Sequence, residues 1–302
     1  MRPGRPLGTV TRGTTHPNRL RRMDRWITTV HAPVLRRAAD PVAVDLGYGA
    51  APWTAVELLD QVRRVRPDAE VVGVEIDPER VAAALPYART GLTFRRGGFE
   101  VPLPGRRPAV IRAANVLRQY DEGEVRTAWA ALCARLAPGG LLVEGTCDEV
   151  GRRHVWVALG PSGPRTVTFA ARLGSLDTPS DLAERLPKAL IHRNVPGEPV
   201  HSFLRDLDRA WNAAAPLRAF GARQRWIGAV RSVAGDWPVL DGPARWRQGE
   251  VTVAWAALAP RGWGAPLTRP PATARRLLNH PARAAAGARP THATGKSKQV
   301  SG

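Results

Sequence analysis

Val42-Ala43-Val44-Asp45-Leu46-Gly47-Tyr48-Gly49 is the stretch that decides the fold. Its first five residues form a short, mostly apolar run of strand length, and two glycines then break it sharply. Thr54 and Glu57 follow at capping-box spacing, so a helix is expected from about Pro52–Ala55 to about Val65. The same punctuation repeats downstream. Glu70 to Ile76 is the next strand, and Asp77-Pro78 then supplies an N-cap and a first-turn proline for a second helix. Leu92 to Arg96 and Ala109 to Val116 read as third and fourth strands. Glu122 to Leu136 reads as a helix stopped by Pro138-Gly139-Gly140, and Leu141 to Glu144 opens a fifth strand. This alternation implies a parallel sheet with helices on both faces.

The pattern changes after the fifth strand. His154 to Leu159 and Thr166 to Ala171 are strand-like runs joined by a Gly- and Pro-rich link too short for a crossover helix, so they are expected to form an antiparallel hairpin. Upstream, residues 1–18 are rich in Gly, Pro, Thr and Arg and read as a flexible arm. Residues 19–38 read as one basic helix carrying Leu20, Met23, Trp26, Ile27 and Val30 at helical spacing. The expected organisation is therefore the arm (1–18), an α/β domain with its basic helix (19–175), a helical extension (176–260) and a disordered basic tail (261–302). In the extension, Val200, Phe203, Leu204, Leu207 and Trp211 recur at helical spacing and are expected in a core.

The 302 residues include 45 Lys or Arg and 26 Asp or Glu, for a net charge of +19. Residues 1–40 carry +7, residues 261–302 carry +8, and the 220 residues between them only +4. By sequence, then, the middle shows no basic stripe, whereas the ends suit phosphate binding. The apolar run at Val251–Ala259 is too short to cross a bilayer, and the first thirty residues lack the apolar core of a secretory signal, so no membrane partner is expected. Cys133 and Cys147 make neither a disulfide framework nor a zinc cluster, and the seven histidines lack ligand spacing. A reduced, cytoplasmic compartment and no metal are expected.

Chemistry concentrates at the strand ends. The glycines after Asp45 allow close backbone approach to a ligand, and the helix N-terminus beyond them favours an anionic group. Glu75, 26 positions after Gly49, can accept both hydroxyl hydrogens of a ribose. A dinucleotide fingerprint would place glycine at 47, 49 and 52, but position 52 is Pro, which disfavours pyrophosphate and a nicotinamide-dependent reductase. A ligand with an amino-acid end and a ribose fits better, its carboxylate at the glycine turn and its ammonium near Asp45. S-adenosylmethionine has that form.

Residues 42–173 resemble class I S-adenosylmethionine-dependent methyltransferases, and the chain as a whole is similar to actinobacterial proteins of that class. The matching segments are VDLGYG (44–49), VVGVEID (71–77), FRRGGFE (94–100), AANVLRQY (113–120) and LAPGGLLVEG (136–145). The resemblance implies a Rossmann-like, mostly parallel sheet with an antiparallel last strand. It implies Asp45, Gly47, Tyr48 and Gly49 at the methionine end, Glu75 on the ribose, Ile76 flanking the adenine, Gly98 and Phe99 at its edge, and Asn115 near the methyl group. Gly98 stands where such proteins often carry an acid, with Glu100 two positions on. No signature for methylating adenine amino groups or cytosine C5 is present.

Methyl transfer from a sulfonium depends on positioning, and a base is needed only when the acceptor must lose a proton. Tyr120, Glu144 and Asp148 are candidates for that base, and no catalytic residue is assigned. The function expected is methyl transfer to a small molecule under the helical extension. The alternatives are an RNA methyltransferase and a non-catalytic nucleoside- or RNA-binding protein of the same fold. The oligomeric state is open.

Overall fold

The computed structural model describes residues 6–263 together with Leu267 and Leu278. Most of the expected tail therefore lies outside the described residues, but Leu278 is buried in the core and Leu267 packs against it.

The basic helix of the sequence reading is two helices, α1 (Arg21–Val30) and α2 (Ala32–Arg37). His31 breaks them apart and Pro33 sits in the first turn of α2, where the missing N–H costs no helical hydrogen bond. Then follow β1 (Val42–Leu46), α3 (Trp53–Arg63), β2 (Glu70–Glu75), α4 (Pro78–Ala84), β3 (Leu92–Arg96), β4 (Val110–Ala114), α5 (Glu122–Cys133) and β5 (Leu141–Cys147). Asp77 caps α4 by accepting from the Glu79 N–H. α5 begins with a capping box of Asp121 and Glu124. The box expected at Thr54 and Glu57 is not made. Pro52 precedes α3 with no side-chain cap, Thr54 donates its hydroxyl to Asp45, and Glu57 accepts from the Asn18 N–H.

The hairpin forms as β6 (Arg153–Gly160) and β7 (Gly163–Ala171). The chain continues through α6 (Lys188–Ile191), α7 (Pro199–Ala213), α8 (Ala222–Val233), α9 (Pro243–Trp246), β8 (Glu250–Ala254) and α10 (Trp255–Leu258). One eight-stranded sheet results, in the order β3-β2-β1-β4-β5-β6-β7-β8. The first five positions are parallel, a Rossmann-like half-sheet whose order reverses between β1 and β4. The antiparallel end holds the expected hairpin and a third strand, because β8 pairs with β7. The extension was expected to be helical. Its Glu-Val-Thr-Val-Ala segment instead alternates along a strand, with Thr252 bonded to Thr168 across the pair.

Alternation along each strand splits the core into two layers. Val42, Val44 and Leu46 lie in the layer that includes α5, α7 and α8, while Ala43 lies in the layer of α1, α2 and α3. Trp26 of α1 is fully buried edge-on against Trp156 of β6, with ring centroids 5.4 Å apart. Burial of a large apolar side chain is worth about 1.5–3 kcal/mol, so this contact fixes α1 on the sheet. The apolar stripe of α7 is buried as its spacing implies. Cys133 is a core residue whose thiol is pushed up to about 12 by burial.

Candidate functional site

Gly47 and Gly49 turn the chain from β1 into α3 at φ +70° and +87°. That left-handed region costs a side-chain-bearing residue about 1–2 kcal/mol. The Gly47 N–H donates to the Val74 carbonyl at 2.7 Å, which ties the turn to β2. Tyr48 packs edge-on against Phe94 at 5.4 Å. A side chain at Gly73 would lie 2.6 Å from that phenyl ring, so the glycine within β2 makes room for the pair. Tyr48 donates its hydroxyl to the Arg80 carbonyl, and burial, then Glu75 and Asp45, hold its pKa above the usual phenol range.

Glu75 ends β2 almost wholly buried. Its Oε1 accepts from the Ile76 and Asp77 N–H groups at 2.8 and 3.3 Å, and its Oε2 from the Gly49 N–H at 3.1 Å. A carboxylate oxygen has about two acceptor sites, so Oε2, which the Arg80 guanidinium approaches only to 3.8 Å, keeps one for a ligand hydroxyl.

Asp45 was expected to face an ammonium group. Both of its oxygens are engaged within the protein: Oδ2 accepts from the Thr54 hydroxyl at 2.6 Å and meets the Arg112 guanidinium at 2.7 Å, and Oδ1 accepts from Arg112 Nε at 3.2 Å. Arg112 of β4 also binds Asp24 of α1, and all three groups are buried. Burial raises Asp24 to about 6 against the opposing pull of Arg112. Asp45 thus anchors the sheet to α1 and presents little free charge to the cleft.

Asn115 follows β4 at φ +61°. Its Oδ1 accepts from the Cys147 N–H at 3.0 Å and its amide donates to the Cys147 sulfur at 3.1 Å, so it clamps the ends of β4 and β5 together. Burial is the main cause of the raised Cys147 pKa, with Asp148 a minor contributor.

A cavity of about 380 Å³ lies among these strand ends, lined by Asp45, Gly47, Tyr48, Gly49, Asn115 and Cys147. Arg19, Arg118 and Arg185 also line it, as does Glu149. The pocket bounded by Glu75, Ile76, Gly98 and Phe99 holds only about 20 Å³. The arm fills it. The Leu7 N–H donates to Glu100 Oε2 at 2.8 Å, and the Leu7 carbonyl accepts from the Phe99 N–H at 2.9 Å. The Thr9 N–H donates to the Tyr120 hydroxyl at 2.6 Å, and Gln119 holds the Thr9 carbonyl. Arg80 holds the Thr11 carbonyl, and the Gly13 carbonyl accepts from the Ala50 N–H. A side chain at Gly98 would lie 1.8 Å from the Leu7 oxygen. The segment read as a flexible arm is therefore a strap across the carboxyl ends of β1, β2 and β3.

None of the three base candidates lines the 380 Å³ cavity. Tyr120 lies under the strap, edge-on to Phe99 at 5.3 Å. Glu144 is buried in the core beneath Trp129, whose indole donates to it at 3.3 Å, and burial pushes its pKa up to about 8. Asp148 accepts from the Arg152 and Arg153 N–H groups within a turn. His154 is a buried packing residue, lowered to about 3 chiefly by burial.

No family model matches the chain, and no curated protein matches it. Solved structures share part of its architecture. The CMeT domain of the citrinin polyketide synthase aligns at a TM-score of 0.34 and 16% identity, over 42% of this chain and 34% of that one. The N-methyltransferase NodS of Bradyrhizobium japonicum gives 0.30 and 19%, over 42% and 68%. Magnesium protoporphyrin IX methyltransferase of Synechocystis, with S-adenosylhomocysteine bound, gives 0.33 and 17%, over 42% and 53%. The chain spans about a third of the length of the citrinin synthase domain and about two thirds of NodS. Likeness of this extent carries no argument about what the chain binds.

The sequence reading missed the strap, Arg112 and the arginines of the cavity. Arg112 had a local signal, since a charged residue amid Val110-Ile111 and Ala113-Ala114 has to find a buried partner. Arg19, Arg118 and Arg185 come from distant segments and carried none.

Proposed function

We propose that the chain is an S-adenosylmethionine-dependent methyltransferase whose acceptor is anionic. The observation that carries this reading is the pattern of groups at Phe99–Glu100. They bind one donor and one acceptor side by side, here the N–H and C=O of Leu7. Adenine offers the same pair through its amino group and the adjacent ring nitrogen. Glu75, one strand away, has a free acceptor site for a ribose hydroxyl, and the 380 Å³ cavity continues past Gly47 and Gly49 to Asn115. The residues fit the donor once Leu7–Thr9 leave the nucleoside side. Bound there, it would supply an activated methyl group. The protein would then align the acceptor and exclude water. Arg19, Arg118 and Arg185 favour an acceptor bearing a carboxylate or phosphate.

Calorimetry with S-adenosylmethionine, S-adenosylhomocysteine and NAD, on the full chain and on a chain lacking residues 1–10, tests the reading. Heat with the first two alone is expected. Heat with none in either protein rejects it and leaves a methyltransferase-like fold closed by its own N-terminus.

A further inference from the structure

Two adjoining surface clefts of about 570 and 510 Å³ run along the outer side of α1, sharing Arg22, Arg25 and Gln248. The first is lined by Arg21, Arg22, Arg25, Arg172, Arg223 and Arg247 with no acidic residue. These side chains come from α1, the end of β7, α8 and the turn after α9, so only folding assembles them. The second holds Arg36 and Arg64, and its one acid, Glu250, is bonded to Arg245 at 2.8 Å. No acidic residue stands between Met1 and Met23 or between Val251 and Gly302. Arg25, Arg172, Arg223 and Arg247 have no ion-pair partner among the described residues. Arg22 is held below the usual guanidinium range, first by burial and then by Arg25 and Arg172, against the pull of Glu250 and Asp148. Like charges are thus kept together at a cost that Glu250 and Asp148 offset only in part at Arg22.

We infer that this arginine-lined track binds the phosphodiester backbone of a nucleic-acid strand. Two adjoining clefts exceed what a single phosphate needs. Phe220, beside Gly221 of the lining, is 76% exposed and gives a base a ring to stack on. Acids resume at Glu57 and Asp60, beside Asn18, Arg21 and Arg64. Asn18 and Gly151 border the first cleft, and Arg19, Leu20 and Glu149, close to them in sequence, line the 380 Å³ cavity. A strand in the track lies beside that cavity. Its assignment as methyl acceptor rests on the proposed function, but its binding does not.

The test uses the full chain and the exposed triple variant Arg25→Ala/Arg172→Ala/Arg223→Ala. Its fold is checked by thermal melting and by calorimetry with S-adenosylhomocysteine, which should be unchanged because none of the three lines the cofactor cavity. Fluorescence anisotropy with a labelled polyuridine strand is measured across salt concentrations. The parent should bind and the variant should bind at least about tenfold more weakly, with a salt slope shallower by about 2, at ~0.7 per lost phosphate contact. Equal affinity and slope would assign binding to the termini and overturn the inference, as would no binding by the parent at low salt. Binding of phosphatidylserine vesicles in place of polyuridine, lost in the same variant, would make the track a membrane contact and also overturn it. Loss of polyuridine binding in a protein that never binds S-adenosylhomocysteine would uphold the track and reject the cofactor reading.

Discussion

Removing residues 1–10 should raise the affinity for S-adenosylhomocysteine. The closed strap places four direct hydrogen-bonded contacts on the nucleoside side: Leu7 to Glu100, Phe99 to Leu7, Thr9 to Tyr120 and Gln119 to Thr9. Neutral hydrogen bonds contribute about 0.5–1.5 kcal/mol each and one to a carboxylate about 1.5–3. Ordering Leu7, Gly8 and Thr9 costs about 1–2 kcal/mol per residue. The two sides nearly cancel, leaving the strap closed by roughly 1–2 kcal/mol. A ligand that must first open it loses that much affinity, a factor of about 5–30. Isothermal calorimetry on the truncated chain should recover that factor. Gly8→Ala tests the same contact without shortening the protein. Gly8 lies at φ +127°, and an added methyl would sit 2.9 Å from the Tyr120 hydroxyl, so the strap should be expelled. Unchanged affinity in both proteins would show that the strap does not compete with the ligand. Weaker binding in both, with folding intact, would make it part of the binding site and refute the argument.

The remaining predictions address the site and its supports. Glu75→Ala should weaken S-adenosylhomocysteine binding by about 1–3 kcal/mol by removing a charged acceptor, and unchanged affinity in a folded protein would remove Glu75 from the site. Arg112→Met should destabilise the fold by about 3–5 kcal/mol in chemical denaturation, because it leaves Asp24 and Asp45 buried without their partner. Glu144→Gln should change the pH dependence of stability. Burial pushes the native carboxyl up to about 8 from an ordinary 4.5, so its favourable protonated state is fully present below about pH 4.5 and is lost as pH rises to about 8. The variant should lack that decline and be the more stable protein at pH 8 and above; parallel urea curves for the two proteins would contradict this. Leu278→Ala should cost about 2–5 kcal/mol if its burial is energetic, and an unchanged melting temperature would uphold the sequence reading of a dispensable tail.

What the sequence disclosed follows from the range of the interactions involved. Strands β1 to β5 and the hairpin were legible because buried strands of a parallel sheet are continuous apolar runs, and their ends carry glycine, proline or a capping acid within a few residues. The turn at Gly47–Gly49 and the carboxylate at Glu75 were legible for the same reason: one segment sets each conformation. The misreadings occur where a polar group had two partners to choose from. Thr54 has the spacing to cap its own helix but donates to Asp45, because Asp45 and Arg112 are buried side by side in adjacent strands and an unfilled acceptor there costs more than a missing cap. Asp45 was read as facing a ligand because its intended partner, Arg112, is 67 positions away. β8 was hidden because an edge strand of five residues becomes a strand only when β7 offers it a ladder. The strap was the hardest to foresee: Gly, Pro and Thr make a segment that orders nothing by itself, and its order comes from the main-chain groups of Phe99 and Ala50. The glycines at 49 and 98 then acquire a second meaning. Gly49 was read as room for a ligand and Gly98 as the adenine edge, and each makes room for a carbonyl of the strap, Gly13 at one and Leu7 at the other. A nucleoside bound there, as proposed, would compete with the strap, and the strap sequence, as much as the glycine turn, would then set how tightly the site binds.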